Sequence, residues 1–179
     1  MKTSSTSAEH KAKAPLKLGV YVLTCSTSRY RDQQSGKSVE DPSGDMIANS
    51  LTKAGHTVAG RKLVPDNEAM IKQTLRELLS WRDIDAIIVT GGTGISPKDI
   101  TIEVARDLFE KDIPGFGELF RKISYDQIGS PAILTRAVAG VAKSKLIFCL
   151  PGSPDAVNRA MASLIVPEIG HMVKHIRES

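Results

Sequence analysis

The stretch from Asp85 to Thr101, DAIIVTGGTGISPKDIT, leaves few folds open to this chain. Ala86 to Thr90 is a short, apolar, β-branched run. Its length and the glycines that follow predict a strand buried on both faces. Gly91, Gly92 and Gly94 come next, and glycines so closely spaced let the chain turn sharply and bring bare backbone N–H groups up to a ligand. A helix is expected after them. Strand, glycine turn and helix N-terminus together form a common cradle for an anion. The stretch lacks the Lys-Ser/Thr ending of a Walker loop and the spacing of a dinucleotide fingerprint.

The rest of the chain alternates in the same way. Strands are predicted over residues 16–24, 58–64, 86–90 and 146–150. Asp41-Pro42-Ser43 opens a helix with an acidic cap and proline near its first position; Ile47, Leu51 and Ala54 follow at helical spacing, and Gly55 stops it. Pro65-Asp66-Asn67-Glu68 begins another, with Ile71, Leu75, Leu78 and Leu79 along one stripe. A helix runs to about Phe109, a turn covers residues 113–117, and a short helix covers residues 118–123. Pro151-Gly152-Ser153-Pro154 leads into a helix, and residues 164–177 form a closing one. Residues 25–41 read as a long polar loop, and residues 133–141 are ambiguous. The pattern predicts an α/β fold in three layers, a mostly parallel sheet with helices on both faces. One domain is expected over residues 15–179, preceded by a disordered basic tail at 1–14. In such sheets ligands bind beyond the carboxyl ends of the strands. The segments Cys25–Arg29, Pro65–Asp66, Gly91–Thr101 and Pro151–Pro154 would then share one edge.

Charge narrows the partners. The formal net charge is +4, but Lys2, Lys11, Lys13 and Lys17 stand against Glu9 alone at the start, so the body is nearly neutral. That argues against a nucleic-acid face, as does the lack of aromatics interleaved with basic residues. No apolar run is long enough to suggest a membrane span, and the start has no apolar core of a secretory signal, so a cytoplasmic protein is expected. Aromatics make up only 4%, which predicts an aliphatic core. Cys25 and Cys149 read as buried, reduced thiols.

Several polar residues carry two readings. If the helix after the glycines starts at Ser96-Pro97, Asp99 merely favours its dipole; if it starts at Thr101, Asp99 lies in the loop, where it could hold Mg²⁺ at a phosphate. Asp66 is either a helix cap or a second carboxylate at the same edge. Ser153 caps a helix, and the N–H groups there offer a second anion site. Ser26, Ser28 and Arg29 are surface residues or hydroxyls and a guanidinium at the pocket edge. Cys25 to Arg31 has the C-x5-R spacing of a phosphatase loop but no glycine in it. His171 and His175 are spaced to share a metal, yet no nearby Cys, Asp or third His completes a set.

Taken together, the motifs resemble one family. Thr90-Gly91-Gly92-Thr93-Gly94 with Lys98-Asp99-Ile100-Thr101 is similar to the TGGTG…(R/K)D-x-T signature of the MoaB/Mog family of molybdenum-cofactor biosynthesis proteins. Pro114-Gly115-Phe116-Gly117-Glu118, with Arg121 and Ser124, resembles that family's PGFGE…R..S segment. Leu150-Pro151-Gly152-Ser153-Pro154 resembles its LPG(S/N)P turn. Ser28-Arg29, Asp41-Pro42-Ser43-Gly44 and Pro65-Asp66 match in order. The resemblance implies binding of molybdopterin and Mg²⁺-dependent transfer of AMP from ATP to its phosphate. Asp66 and Asp99 would hold metal and nucleotide. Thr90, the glycine turn, Thr101 and Pro151–Pro154 would line the nucleotide or pterin site. Ser26, Ser28 and Arg29 would edge it, and Glu118, Arg121 and Ser124 would serve the pocket or a subunit contact. It also implies a homotrimer or hexamer, with other cofactor-biosynthesis proteins as further partners. The alternative within the same fold is a non-catalytic molybdopterin-binding scaffold. Two positions depart from the family pattern: Lys98 replaces a common arginine, and Ile102 a common proline.

Overall fold

The strand expected over residues 86–90 forms, and it explains the layering. In β3 (Ala86–Thr90) every residue is buried. Ala86 and Ile88 enter one apolar cluster, while Ile87 and Val89 enter another on the opposite face. A period of two, apolar at every position, needs cover on both sides, and helices supply it.

The computed structural model describes residues 17–178; the tail expected at 1–14 lies outside them. The chain runs β1 (Gly19–Cys25), α1 (Thr27–Gln34), α2 (Pro42–Lys53), β2 (Thr57–Val64), α3 (Glu68–Ser80), β3, α4 (Thr101–Arg106), β4 (Lys111–Asp112), α5 (Pro114–Ile128), β5 (Val138–Ala142), β6 (Lys145–Leu150), α6 (Pro154–Ala160) and α7 (Val166–Arg177). A 3₁₀ turn covers Ser130–Leu134, and a π-helical turn at Met161–Ile165 joins α6 to α7. The sheet order is β2-β1-β3-β6-β5-β4. Strands β2, β1, β3 and β6 are parallel, and β5 and β4 are antiparallel additions. Helices α2, α5, α6 and α7 cover one face, around Phe120, Phe148 and Met161. Helices α3 and α4 cover the other, where Ile71, Leu75, Leu78 and Leu79 are buried as the stripe predicts. Each such side chain contributes roughly 1.5–3 kcal/mol by leaving water.

Three differences from the sequence reading matter. Residues 25–41 are not all loop, because α1 occupies Thr27–Gln34. It buries no residue, so its sequence carries no apolar stripe to read. The helix expected over 118–123 is a fifteen-residue α5 that starts at Pro114. Proline suits the first helical position, and Phe116 joins Phe120 on the buried side. The ambiguous 133–141 segment ends in β5, which turns back to β6 through Lys143 and Ser144, both with positive φ (47° and 58°). That is the backbone a two-residue hairpin needs, here without the Asn-Gly that usually advertises it.

Candidate active site

The order of the sheet changes direction between β1 and β3, where ligands usually bind in such sheets, and a cavity lies next to that point, beyond β3 and β6. Gly91 and Gly92 make the turn with φ of 95° and 61°, the left-handed region glycine favours. A Cβ on Gly91 would stand 2.2 Å from the Cys25 carbonyl oxygen. The Gly91 N–H donates to the Leu150 carbonyl at 3.1 Å, and the Thr90 hydroxyl donates to the Pro151 carbonyl at 2.9 Å. The glycine turn is thus stitched to the loop after β6. Gly152 backs onto Gly91, since a Cβ there would lie 3.3 Å from the Gly91 Cα. The Ser43 hydroxyl donates to the Gly152 carbonyl at 2.8 Å. Asp41 caps α2 by accepting from the Gly44 N–H at 3.0 Å and also takes the Thr24 hydroxyl at 2.7 Å. The Asp41–Gly44 motif therefore acts at a distance, by holding the 150–154 loop.

With the Gly91 N–H committed, the turn keeps the N–H groups of Gly92, Thr93 and Gly94, which make no hydrogen bond to other described residues. They border a cavity of about 380 Å³. Asp99, Ser124, Arg136, Gly152, Ser153 and Arg159 also line it. Ser153 caps α6, accepting from the Ala156 N–H at 3.4 Å, with Pro154 at the first helical position.

The two aspartates flank the turn. Helix α4 begins at Thr101, so Asp99 lies in the loop and the later of the two starts is the observed one. Its Oδ2 accepts from the Ser96 N–H at 2.9 Å, and the same oxygen would lie 2.7 Å from a Cβ on Gly94. Asp66 is not the cap of α3; Asn67 is, accepting from the Met70 N–H at 3.0 Å. Asp66 Oδ2 instead accepts from the Thr27 N–H at 2.9 Å and the Thr27 hydroxyl at 2.7 Å. That leaves Oδ1 beside Gly92, 2.8 Å from where a Cβ would sit. Thr101 Oγ1 lies 2.4 Å from the same point. Asp66 does not itself line the cavity; it stands directly behind Gly92.

Two cavity-lining residues carry buried polar atoms with no hydrogen-bond partner among the described residues, Ser124 Oγ and Arg159 Nε. Each costs roughly 1–3 kcal/mol if left unmet. Their shared neighbourhood marks a place built to receive polar atoms. The guanidinium groups of Arg136 and Arg159 outnumber Asp99 along the wall, which favours an anion. Arg136 is held by an ion pair with Glu103. Arg159 donates to Gln127 Oε1 at 3.3 Å.

Other expected residues lie elsewhere. Ser26 stands at the N-cap of α1 and Ser28 and Arg29 in its first turn, and none of them lines this cavity. Glu118 and Arg121 line a separate hollow of about 250 Å³ beside Arg106 and Asp112. Lys98 is exposed, and Ile102 is buried in the α4 face of the core, which a proline there would not fill as well. Thr27, Arg136 and Arg159 were missed, because an Arg or Thr outside a glycine loop carries no local signal. Among the described residues, no three His, Cys, Asp or Glu side chains form a ready metal cage. Magnesium does not require one; it is usually held by one or two carboxylates and substrate phosphates. Asp66 Oδ1 and Asp99, on either side of the glycine turn, are hard oxygen donors of the kind it takes.

Cys25 is no phosphatase nucleophile. Burial pushes its thiol up to about 12, opposed only in part by the Thr101 hydroxyl beside it. A thiolate nucleophile needs the opposite shift. Iodoacetamide at pH 8 should leave Cys25 and Cys149 unmodified in the folded protein and label both after urea unfolding, as read by intact mass.

A family model described as "Probable molybdopterin binding domain" matches residues 21–171. The chain is 41% identical over 157 residues to a "Probable molybdopterin adenylyltransferase" of Methanocaldococcus jannaschii, covering 88% of this chain and 93% of that one. It is 41% identical over 169 residues to "Molybdenum cofactor biosynthesis protein B" of Halalkalibacterium halodurans, covering 94% and 95%. Among solved structures, the "tungsten cofactor synthesizing protein MoaB from Pyrococcus furiosus" superposes with a TM-score of 0.79 at 38% identity, covering 92% and 100%. No described helix is long and apolar enough to cross a membrane.

Proposed function

The chain belongs to the molybdopterin-binding family of molybdenum- and tungsten-cofactor biosynthesis proteins, and from that premise we propose that it is a molybdopterin adenylyltransferase acting in the cavity beyond β3 and β6. In this reaction an oxygen of the molybdopterin phosphate forms a bond to the α-phosphorus of ATP. The bond from that phosphorus to the bridging oxygen breaks, and pyrophosphate leaves. The acceptor is already a phosphate anion, so no side-chain nucleophile is required.

The reading rests on one observation: a glycine turn whose N–H groups make no hydrogen bond to other described residues lines one cavity together with Asp99, Ser124 and Arg159, the last two carrying buried polar atoms without a partner among the described residues. The N–H groups of Gly92, Thr93 and Gly94 would hold phosphate oxygens, and Arg159 and Arg136 would offset their charge. Gly152 and Ser153 would form the opposite wall, on the pterin side. Asp66 and Asp99 would hold Mg²⁺ with the nucleotide, and the ion would supply charge neutralisation at the phosphates. Thr27 positions Asp66, leaving one oxygen toward Gly92. Assembly as a trimer or hexamer is part of the proposal; exposed Leu119, Tyr125 and Ile133 offer apolar surface for it.

The experiment is incubation with molybdopterin, Mg²⁺ and α-labelled ATP. Labelled adenylyl-molybdopterin and pyrophosphate are expected. Pterin binding with no labelled product would instead make this a binding scaffold. Ser124→Ala should leave folding stability unchanged or slightly raised, because the hydroxyl is unpaired. The same variant should weaken ligand binding about five- to tenfold by calorimetry.

A further inference from the structure

Two arginines line the cavity beside the glycine turn, and they are not equivalent. Arg136 is paired with Glu103, so a carboxylate already offsets its charge. Arg159 has no carboxylate partner among the described residues. Its Nη1 donates to the neutral Gln127 Oε1 at 3.3 Å, and its Nε is buried without an acceptor. An ordinary surface arginine keeps its guanidinium in water. This one is half-buried, and a cation drawn out of water without a counter-charge is unfavourable. An anion from outside the chain relieves that.

Gln127 explains where the guanidinium is kept. It follows Ser124 by three positions on α5, so the two side chains are neighbours on one helix face. Gln127 thus draws the Arg159 side chain, which comes from α6, toward the part of α5 that carries Ser124. Ser124 and Arg159 line the same cavity. An amide at position 127 orients the guanidinium and leaves its charge uncompensated.

The place of Arg159 in the fold separates the two substrates. Helix α6 starts directly after Gly152 and Ser153, the wall proposed for the pterin. ATP would arrive with Mg²⁺, which offsets its phosphates at the glycine turn. The acceptor would bring a phosphate monoester with a charge of about −1.5 to −2 and no metal of its own. Bringing that group up to a second phosphate is repulsive. A guanidinium on the acceptor side lowers the repulsion, and its planar fork suits phosphate oxygens.

We infer that Arg159, oriented by Gln127, binds the phosphate monoester of the acceptor and so selects a phosphorylated pterin over the corresponding alcohol. Arg159 is then a binding residue and Gln127 a positioning residue. The inference rests on the adenylyl-transfer reading only for the identity of the acceptor.

The test is calorimetry of the full chain with molybdopterin and with molybdopterin dephosphorylated by alkaline phosphatase. The parent protein should prefer the phosphorylated form at least tenfold. Arg159→Gln should bind that form at least tenfold more weakly and the dephosphorylated form within about twofold of the parent, so that the preference disappears. Gln127→Glu puts a carboxylate of the same shape beside Arg159, as Glu103 stands beside Arg136. It should weaken the phosphorylated ligand about five- to tenfold while leaving the melting temperature unchanged or raised, which loss of a merely structural contact would not do. Binding of ATP with Mg²⁺ should stay within about twofold in both variants. The inference is overturned if Arg159→Gln keeps the preference for phosphate, if it weakens both pterins equally, or if ATP binding falls in place of pterin binding. These readings need no turnover. A parent protein that discriminates through Arg159 but transfers no AMP would end the adenylyl-transfer reading and uphold this one.

Discussion

Gly92→Ala is expected to abolish adenylyl transfer while leaving a folded protein. The residue has a φ of 61°, so an alanine there costs about 1–2 kcal/mol of backbone strain. The larger effect is local. The new methyl would lie 2.4 Å from Thr101 Oγ1 and 2.8 Å from Asp66 Oδ1, so one or both oxygens must move. That displaces the carboxylate that Thr27 holds beside the turn, and it tilts the N–H groups proposed to hold phosphate. A misplacement of about 1 Å at a positioned group can cost two orders of magnitude in rate. The measurement is labelled-AMP transfer beside a urea unfolding curve. Wild-type turnover by a folded Gly92→Ala protein would remove the turn from the site.

Asp99→Asn should separate binding from chemistry. Asparagine keeps the shape, and its carbonyl oxygen can still accept from the Ser96 N–H, so the loop should hold. What disappears is a negative charge on the cavity wall. Molybdopterin binding is expected within about twofold of the parent, because the wall proposed for the pterin, at Gly152 and Ser153, is untouched. AMP transfer should fall by about 10²–10³, the usual consequence of losing one charge-stabilising contact that matters most in the transition state. Calorimetry with molybdopterin alone and turnover with ATP give the two readings. Equal turnover would end the metal role proposed for Asp99. A parallel loss of pterin binding would place it on the wrong substrate.

Much of this architecture was legible in the chain itself. Runs such as AIIVT and LIFCL are apolar at every position, and only a strand covered on both faces has a use for that. Pro42, Pro154 and the caps Asp41 and Ser153 announce helix starts, because satisfying the first N–H groups is a local problem with local solutions. The glycine turn, too, was readable, since positive φ and close backbone approach select glycine.

Tertiary structure decided the rest. α1 has no buried side chain and so leaves no periodic trace; its first turn is anchored by Asp66, 39 positions further along the chain. Arg159 and Arg136 join the site because α6 and the segment before β5 pack beside the turn, and no spacing in the sequence encodes that approach. The choice between two starts for α4, which decides whether Asp99 sits in the helix's first turn or in the loop before it, was made by the Thr101 N–H bonding back to the Gly92 carbonyl at 3.0 Å. Local chemistry fixes turns and caps at short range. Which side chains face one another across the strand ends depends on how the layers pack, a property of the whole chain that no short stretch contains.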